Sequence, residues 1–370
     1  MSIEIRRVET AKDLRTFIKL PWKIYKNDPY WVPPLIVDQK KMLNKDKGTF
    51  FQFGEADLFL AFDGKEPVGR ITAHVDHQYE KYRDERSGRF GFFECVNDQD
   101  VADALLSRAE EWIKAKGKKR LEGPYNFTLY DASGMLYEGF DSMPVVLLSY
   151  NPAYYNDLLK NAGFEKAIDW YAFMVRDTVK LRPSYTKIRE RIARQGFRIE
   201  KIDMKNLDKA VEYIGPIFNE AWMENWGHVP FTEGQLEDFK EELKYVVVPE
   251  LTYLAFIGEK CVGFSMTARD ANPAIKKANG RLFPFGLLKI MLEMKKIHRL
   301  RTIAMGVLKE YRHRGLDTLF YLNSVEEGLR LGFTESECSI IVETNQRMIG
   351  ALEHLQAERY KTYRFYQKEL

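Results

Sequence analysis

The chain has 370 residues, of which 45% are hydrophobic and 30% are charged. This composition excludes a disordered or collagen-like chain, and the length exceeds the usual size of one hydrophobic core, so we expect two domains. The 57 Lys and Arg residues nearly balance the 54 Asp and Glu residues. That balance argues against a protein whose whole surface binds nucleic acid.

The three cysteines are Cys95, Cys261 and Cys338, which are far apart and form no CxxC pair. This spacing predicts neither a disulfide framework nor a zinc ribbon, and it fits a reducing compartment. The amino terminus has charges where a signal peptide needs its apolar segment, and no window reaches about 18 uninterrupted apolar residues. We therefore expect a cytoplasmic protein without stable membrane insertion.

The first half of the chain predicts a mixed α/β unit that begins with a hairpin. Residues 57–64 and 67–76 form its two strands around the turn Asp63-Gly64-Lys65-Glu66. The elements predicted after it are a strand at 88–96, a helix at 98–116, a strand at 144–150, a helix at 152–162 and a strand at 166–176.

The second half repeats this order of elements. They are a hairpin of 251–258 and 260–270, a strand at 301–308, a helix at 313–331, a strand at 337–343, a helix at 346–356 and a strand at 359–367. The segments LAFDGKEPVGRITA and LAFIGEKCVGFSMTA correspond closely, which indicates an internal duplication. We therefore predict two tandem α/β domains with mixed sheets, over residues 1–178 and 179–370.

A basic, glycine-containing turn in the second half joins an apolar strand directly to a helix. The first N–H groups of a helix have no partner within the helix and lie at the positive end of its dipole, so they favour an anion such as pyrophosphate. Gly315 permits close approach, and Arg312, His313 and Arg314 add donors. The segment 305–318 is therefore a candidate phosphate-binding turn.

The hexapeptide Arg312-His313-Arg314-Gly315-Leu316-Asp317 resembles the Arg/Gln-x-x-Gly-x-Gly/Ala signature of the GCN5-related N-acetyltransferase (GNAT) superfamily. The surrounding elements extend the resemblance over residues 195–367. It implies tandem GNAT-like domains and acetyl-CoA, or another acyl-CoA, as cofactor. By this resemblance the strand backbone binds the pantetheine arm, and the implied cofactor-binding residues are Met305, Gly306, Val307, Arg312, His313, Arg314, Gly315, Leu316, Asp317, Thr318 and Asn345.

Two positions depart from the pattern of the superfamily. Asp317 puts a carboxylate where the signature has a small residue, and Leu352 stands where many relatives have a Tyr that protonates the leaving thiolate. In the first half, the equivalent turn 95–101 has neither Arg nor Gly, and Asp98 is a good helix N-cap. We therefore expect the first half to be a degenerate domain that binds CoA poorly.

Two regions are candidates for the acceptor site. In the first, Asn219, Trp222 and Trp226 lie near a predicted helix end and suit an amphipathic ligand. The alternative is that the two Trp residues form a core stripe. The second candidate is the loop that contains Asp270, Asn272 and Asn279, for which simple turn chemistry is the alternative.

A basic amphipathic helix rich in Leu, Ile and Met is predicted at 285–300. Its default interpretation is core packing with a solvated basic face. Binding of a long acyl chain, or contact with a membrane surface or the CoA phosphate, stays open. His74 and His77 lie on opposite faces of a strand with no Cys or acid cluster nearby, so we assign no metal.

These features predict an acyl-CoA-dependent N-acyltransferase, with acetyl transfer to a primary amine of a small molecule or peptide as the first choice. Glu343 is the candidate general base and Tyr360 the candidate acid. One alternative is a non-catalytic binding or scaffold protein, motivated by the degenerate first half. The other is transfer of a long acyl chain or an aminoacyl group.

Overall fold

The structure is a computed structural model that describes residues 3–83, 86–180 and 184–370. The strands are β1 (Ile3–Arg7), β2 (Gly54–Asp63), β3 (Glu66–Asp76), β4 (Ser87–Cys95), β5 (Arg120–Gly123), β6 (Met135–Glu138), β7 (Glu165–Arg176), β8 (Phe197–Lys201), β9 (Tyr253–Ile257), β10 (Lys260–Arg269), β11 (Arg299–Val307), β12 (Glu335–Val342) and β13 (Glu358–Glu369).

The helices are α1 (Ala11–Ile24), α2 (Ile36–Met42), α3 (His77–Arg83), α4 (Gln99–Ala115), α5 (Tyr155–Asn161), α6 (Ser184–Arg194), α7 (Leu207–Trp222), α8 (Glu233–Leu243), α9 (Asn272–Ala278), α10 (Gly286–Met294), α11 (Leu316–Arg330) and α12 (Gln346–His354). In the part of the chain that the structure describes, no helix has the length and apolarity needed to cross a membrane.

The chain divides into two compact units. Unit 1 comprises Met1–Trp170, Asn272–Lys295 and Lys361–Leu370, and unit 2 comprises Tyr171–Ala271 and Lys296–Tyr360. The chain therefore enters unit 1 three times, and both the segment with α9 and α10 and the end of β13 belong to that unit. The assignment of separate roles to residues 1–178 and 179–370 stays a prediction.

Unit 1 contains a mixed sheet with the strand order β1-β2-β3-β4-β5-β13. The first four strands are antiparallel neighbours, whereas β4 and β5 pair in parallel. Side chains alternate across the sheet, so Phe59 and Ala61 of β2 join a core cluster with α4. Leu58 and Leu60 join a cluster with α1 on the other face. The sheet thus lies between two helical layers.

Unit 2 repeats this plan, with the strand order β8-β9-β10-β11-β12. Its first four strands are antiparallel neighbours, and β11 and β12 pair in parallel. Phe264 of β10 lines a small apolar cavity together with α7 and α8. A Cβ added at the neighbouring Gly263 would be 3.5 Å from the Phe320 ring of α11. The predicted α/β class with mixed sheets is confirmed.

Both predicted hairpins form, as β2-β3 and β9-β10. The strand predicted at 144–150 is wrong, because Leu147 adopts a left-handed φ of 65° that a strand does not accept. The short strand β6 forms instead and pairs with β13. The predicted core packing of 285–300 is also wrong: the helix ends at Met294, and its large apolar side chains are exposed.

Candidate functional site

The sheet of unit 2 opens between β11 and β12. The parallel pairing of these strands joins only residues 299–302 to residues 335–338. β11 continues to Val307 and remains paired with β10, with a register shift that leaves Ile303 without a paired residue on β10. Residues 303–307 therefore have β10 on one side and, within the described part of the chain, no paired strand on the other. An open strand edge of this kind presents backbone donors and acceptors to a ligand.

The backbone direction of β11 shows which groups face this open edge. The Leu308 N–H donates to the Val262 carbonyl at 2.9 Å, so Leu308 faces the β10 side. Alternate residues face opposite sides of a strand within the sheet plane, and Met305 and Val307 therefore face the opening. Their carbonyls accept from Trp222 Nε1 at 3.0 Å and from Arg312 Nε at 3.3 Å. The N–H groups of Met305 and Val307 are the donors directed at the open edge.

Helix α11 begins at the turn predicted to bind phosphate. Gly315, at its N-cap, has a φ of 96°, which a residue with a Cβ adopts only with strain. The first helical bond runs from the Leu319 N–H to the Gly315 carbonyl at 3.0 Å. The amides before Leu319 therefore lie in the first turn and have no backbone acceptor within the helix. One of them, Thr318 N–H, already donates to Asp317 Oδ1 at 2.9 Å.

Arg191 of α6 adds a positive charge to this turn, and the sequence analysis missed it. Its Nη2 atom lies 3.0 Å from the position that a Cβ on Gly315 would occupy. Arg191 is exposed and makes no ion pair with the residues that the structure describes. Arg314 also lies at the turn, with its guanidinium 5.2 Å from the Tyr311 ring. The turn thus has two cations beside a helix N-terminus, which suits a polyanion.

Arg312 has different surroundings from those two arginines. Its Nη2 atom donates to the Ala221 carbonyl at 2.9 Å, and its Nη1 atom lies 3.1 Å from a Glu224 carboxylate oxygen. Together with the bond to Val307, these contacts join the end of β11 to the end of α7. Arg312 therefore orders the turn, and its role as a phosphate ligand stays a prediction. His313 adopts a left-handed φ of 65° in the same turn.

The two departures from the superfamily signature have physical explanations. Arg347 Nη2 donates to Asp317 Oδ2 at 2.7 Å, which balances the extra carboxylate at the start of α11. Leu352 is fully buried in a cluster with Phe173 and Cys338, so it has a packing role. Asn345 accepts from the Met348 N–H at 3.1 Å and caps α12.

Glu337 is a buried carboxyl group that the sequence analysis missed. It lies on β12 opposite Arg301, one position before the last pair that joins β12 to β11. Its Oε2 atom accepts from Ser339 Oγ at 2.8 Å and lies 3.6 Å from Arg301 Nε, which is longer than a hydrogen bond. Burial raises the pKa of Glu337 to about 7, against the lowering effect of Arg301. The group can therefore exchange a proton near neutral pH.

The equivalent opening in unit 1 is filled by the protein itself. The β4-β5 pairing stops at residues 89 and 122. Beyond it, the Tyr125 N–H donates to the Phe90 carbonyl at 2.7 Å, and the Phe92 N–H donates to Asn126 Oδ1 at 2.9 Å. Asp98 caps α4, as predicted, by accepting from the Asp100 N–H. Within the described part of unit 1, protein groups therefore occupy positions that correspond to the open edge and the helix start of unit 2.

Comparison with known proteins identifies the family. No protein-family model matches the chain. The chain is 32% identical to protein YghO of Escherichia coli, with 99% of this chain and 95% of YghO covered. It is 31% identical to the bacterial ceramide synthase of Caulobacter vibrioides, with 98% and 96% covered. The chain belongs to the family of these two proteins.

Solved structures show the fold of this family member. The tandem GNAT protein from the clavulanic acid biosynthesis pathway matches with a TM-score of 0.58 at 13% identity, covering 100% of this chain and 98% of that chain. A GCN5-related N-acetyltransferase from Sphaerobacter thermophilus matches with a TM-score of 0.53 at 15% identity, covering 99% and 95%. The tandem GNAT fold that the resemblance implied is thus confirmed.

Within this GNAT fold, the first acceptor region lies beside the open edge. The Phe218 ring lies 4.8 Å from Trp222, whose indole reaches Met305. Asn219 Oδ1 accepts from the Phe231 N–H at 2.9 Å, which fixes the segment after α7. Trp222 and Trp226 are both half-buried, so neither belongs to the fully buried core. Their role in acceptor binding stays a prediction.

The second acceptor region is divided between the two units, and its role in acceptor binding stays a prediction. Asp270 is fully buried in unit 2, with Oδ2 3.8 Å from an Arg299 nitrogen. Asn272 and Asn279 belong to unit 1, where Asn272 donates to the Pro144 carbonyl at 2.7 Å. Asn279 accepts from Trp22 Nε1 at 2.9 Å. These bonds give the two amides structural roles.

The predicted acid and base lie at strand ends in unit 2. Glu343 follows β12 and is half-buried, and its backbone carbonyl accepts from the Gln346 side chain at 2.8 Å. Tyr360 lies near the start of β13 and is also half-buried. Their catalytic roles stay predictions, beside the buried Glu337.

Proposed function

We propose that this protein is an acyl-CoA-dependent N-acyltransferase that transfers a long acyl chain to the primary amine of an amphipathic acceptor. The observation that supports this most directly is the contrast between the two openings. In unit 2 the open edge of β11 and the first turn of α11 present backbone donors. In unit 1 the Phe92 N–H at the corresponding edge already donates to Asn126, and Asp98 caps the corresponding helix. A binding site retained in one copy of a duplicated fold argues for a ligand at that copy.

The residues of unit 2 fit the chemistry of coenzyme A. The first-turn amides of α11, together with Arg191 and Arg314, suit the pyrophosphate. The Met305 and Val307 N–H groups suit the amide carbonyls of the pantetheine arm and the thioester oxygen. When bound, the thioester supplies the acyl group that joins the acceptor nitrogen.

A base is required because a primary amine is protonated at neutral pH and attacks only as the free amine. We assign this role to Glu337, acting through the Ser339 hydroxyl that donates to it. The acceptor ammonium gives one proton to this pair, and the free amine then attacks the thioester carbon. The carbon–sulfur bond breaks, and the second proton of the nitrogen passes to the leaving thiolate. Glu343 is the alternative base, and Tyr360 is the group proposed to protonate the thiolate.

The length of the acyl group on the donor distinguishes two forms of the proposal. Acetyl transfer is the first choice of the sequence analysis. The relative named as a bacterial ceramide synthase supports its alternative, a long-chain donor with a long-chain amine. Trp222, which reaches the open edge at Met305, and Trp226, four residues further on, are both half-buried and suit such an amphipathic acceptor. We therefore favour the long-chain form.

The test is a turnover assay that follows release of the CoA thiol and detects the amide product by mass spectrometry. Acetyl-CoA and palmitoyl-CoA are each paired with sphinganine and with a short soluble amine. We expect turnover with palmitoyl-CoA and sphinganine, and loss of at least about 100-fold in kcat for Glu337→Gln. Turnover with acetyl-CoA alone would support the acetyl form. No turnover with any pair, together with no CoA binding, would support the scaffold alternative.

A further inference from the structure

Helix α10 and the residues before it expose an unusually apolar surface. Six large side chains there, each between 48% and 79% exposed, form what we name the α10 surface: Phe283, Phe285, Leu287, Leu288, Met291 and Leu292. Contiguous apolar patches of this kind on a folded protein mark contact sites, whereas scattered exposed apolar residues need no explanation. We therefore expect a binding partner to cover the α10 surface.

The exposed residues occupy one side of the helix. Leu287 and Met291 are four residues apart, as are Leu288 and Leu292, so these two pairs form adjacent rows. The opposite side is closed: Gly286 is buried, and a Cβ there would lie 1.7 Å from the Arg281 carbonyl oxygen. The backbone of α10 is thus pressed against the preceding turn, and its apolar side points outward.

Unit 1 holds this segment firmly in place. Trp22 of α1 donates to Asn279, and the Ile36 N–H donates to the Gly280 carbonyl at 2.9 Å. Gly280 has a φ of 76°, and a Cβ there would lie 2.4 Å from the Trp22 ring. The outward position of α10 therefore follows from specific contacts.

A basic cleft adjoins the apolar surface. The cleft has a volume of about 670 Å³, includes Phe283 and Phe285, and has five cationic lining residues: Lys19, Lys23, Lys277, Arg281 and Lys289. Among the described residues that line it, none is a carboxylate. Lys23 pairs with Glu66 at 2.9 Å, whereas the other four make no ion pair with any residue that the structure describes. Apolar side chains and these four cations thus lie side by side.

We propose that the α10 surface and its basic cleft dock unit 1 onto an anionic phospholipid bilayer. Exposed apolar side chains beside Lys and Arg are the composition of helices that lie in the membrane interface. The helix has nine residues and a length of about 13 Å, so it lies along the interface. Anionic headgroups complement the four unpaired cations. This inference does not depend on the proposed acyl transfer, because docking requires neither donor nor acceptor.

The test is sedimentation of the full chain with vesicles. One set contains phosphatidylcholine alone, and the other also contains phosphatidylglycerol. We expect binding to the second set, weakened as NaCl rises from about 0.1 to about 0.5 M. Lys289→Glu should weaken binding on the order of fivefold or more, and Leu288→Glu/Met291→Glu at least about tenfold. Tyr245→Glu alters an exposed aromatic residue outside the α10 surface and should leave binding unchanged.

Three results would overturn this inference. The first is equal binding by Leu288→Glu/Met291→Glu and wild type, and the second is no binding to either vesicle set. The third is a shift to dimer in sedimentation velocity that the same double variant abolishes, because a second copy would then cover the surface. Displacement of the protein from vesicles by soluble glycerol phosphate would likewise indicate a site for free anions. Circular dichroism of each variant checks that the fold is intact.

Discussion

Replacing Glu337 by Gln tests whether the buried carboxyl at the base of the unit 2 opening titrates near neutral pH. Burial raises the pKa of Glu337 from its ordinary 4.5 to about 7. The folded state therefore holds this proton more tightly than the unfolded state does. The resulting stabilisation is fully present below pH 4.5 and is lost as the pH rises through about 7. The shift corresponds to about 3 kcal/mol, because one pKa unit is about 1.4 kcal/mol.

The assay is urea unfolding of wild type and Glu337→Gln between about pH 5 and pH 8. Gln has a similar shape and keeps an acceptor for Ser339, but it has no titrating proton. The free energy of unfolding of wild type should fall relative to the variant by up to about 3 kcal/mol across this range. A difference that is constant with pH would refute the raised pKa, and with it the physical reason for choosing Glu337 as base.

Three further substitutions test other parts of the site. Trp222→Phe keeps the ring but removes the donor to the Met305 carbonyl, so we expect a loss of about 1 kcal/mol in stability and a lower kcat; unchanged urea unfolding and kcat would contradict this. Gly315→Ala places a Cβ 3.0 Å from Arg191 in a left-handed turn, so KM for the acyl donor should rise at least about tenfold, as initial rates will show. Glu343→Gln should retain turnover if Glu337 is the base, and its complete inactivity would return that role to Glu343.

The repeated hairpins and the phosphate-type turn were predictable from local sequence. Alternating apolar residues around Gly64 and Gly258 define β2-β3 and β9-β10, because strand periodicity and turn chemistry are local properties. The helix start at Gly315 was also local, since glycine followed by an apolar-periodic run marks it. These features were sufficient to predict the fold class and the strand-turn-helix segment of the candidate site.

The remaining parts depend on contacts distant in sequence. Arg191 comes from α6 and approaches Gly315 only after folding. Glu337 differs from an ordinary surface carboxyl because burial raises its pKa. The apolar run at 144–150 is buried without being a strand, since buried loops and strands have similar composition. For α10, core packing was predicted but the apolar side chains are exposed. Amphipathic periodicity does not reveal whether the apolar side of a helix faces a core or an external partner.

The most direct test of the central claim is thermal stability of the full chain titrated with CoA and palmitoyl-CoA. A ligand at about 100 times its Kd stabilises by about 2.7 kcal/mol, which corresponds to a rise of roughly 3 to 4 °C in Tm for cooperative unfolding of all 370 residues. Arg191→Glu should abolish this rise, whereas Arg330→Glu, the same charge change at the other end of α11, should retain it. Equal rises in wild type and Arg191→Glu, or none in wild type, would contradict an acyl-CoA site at the start of α11.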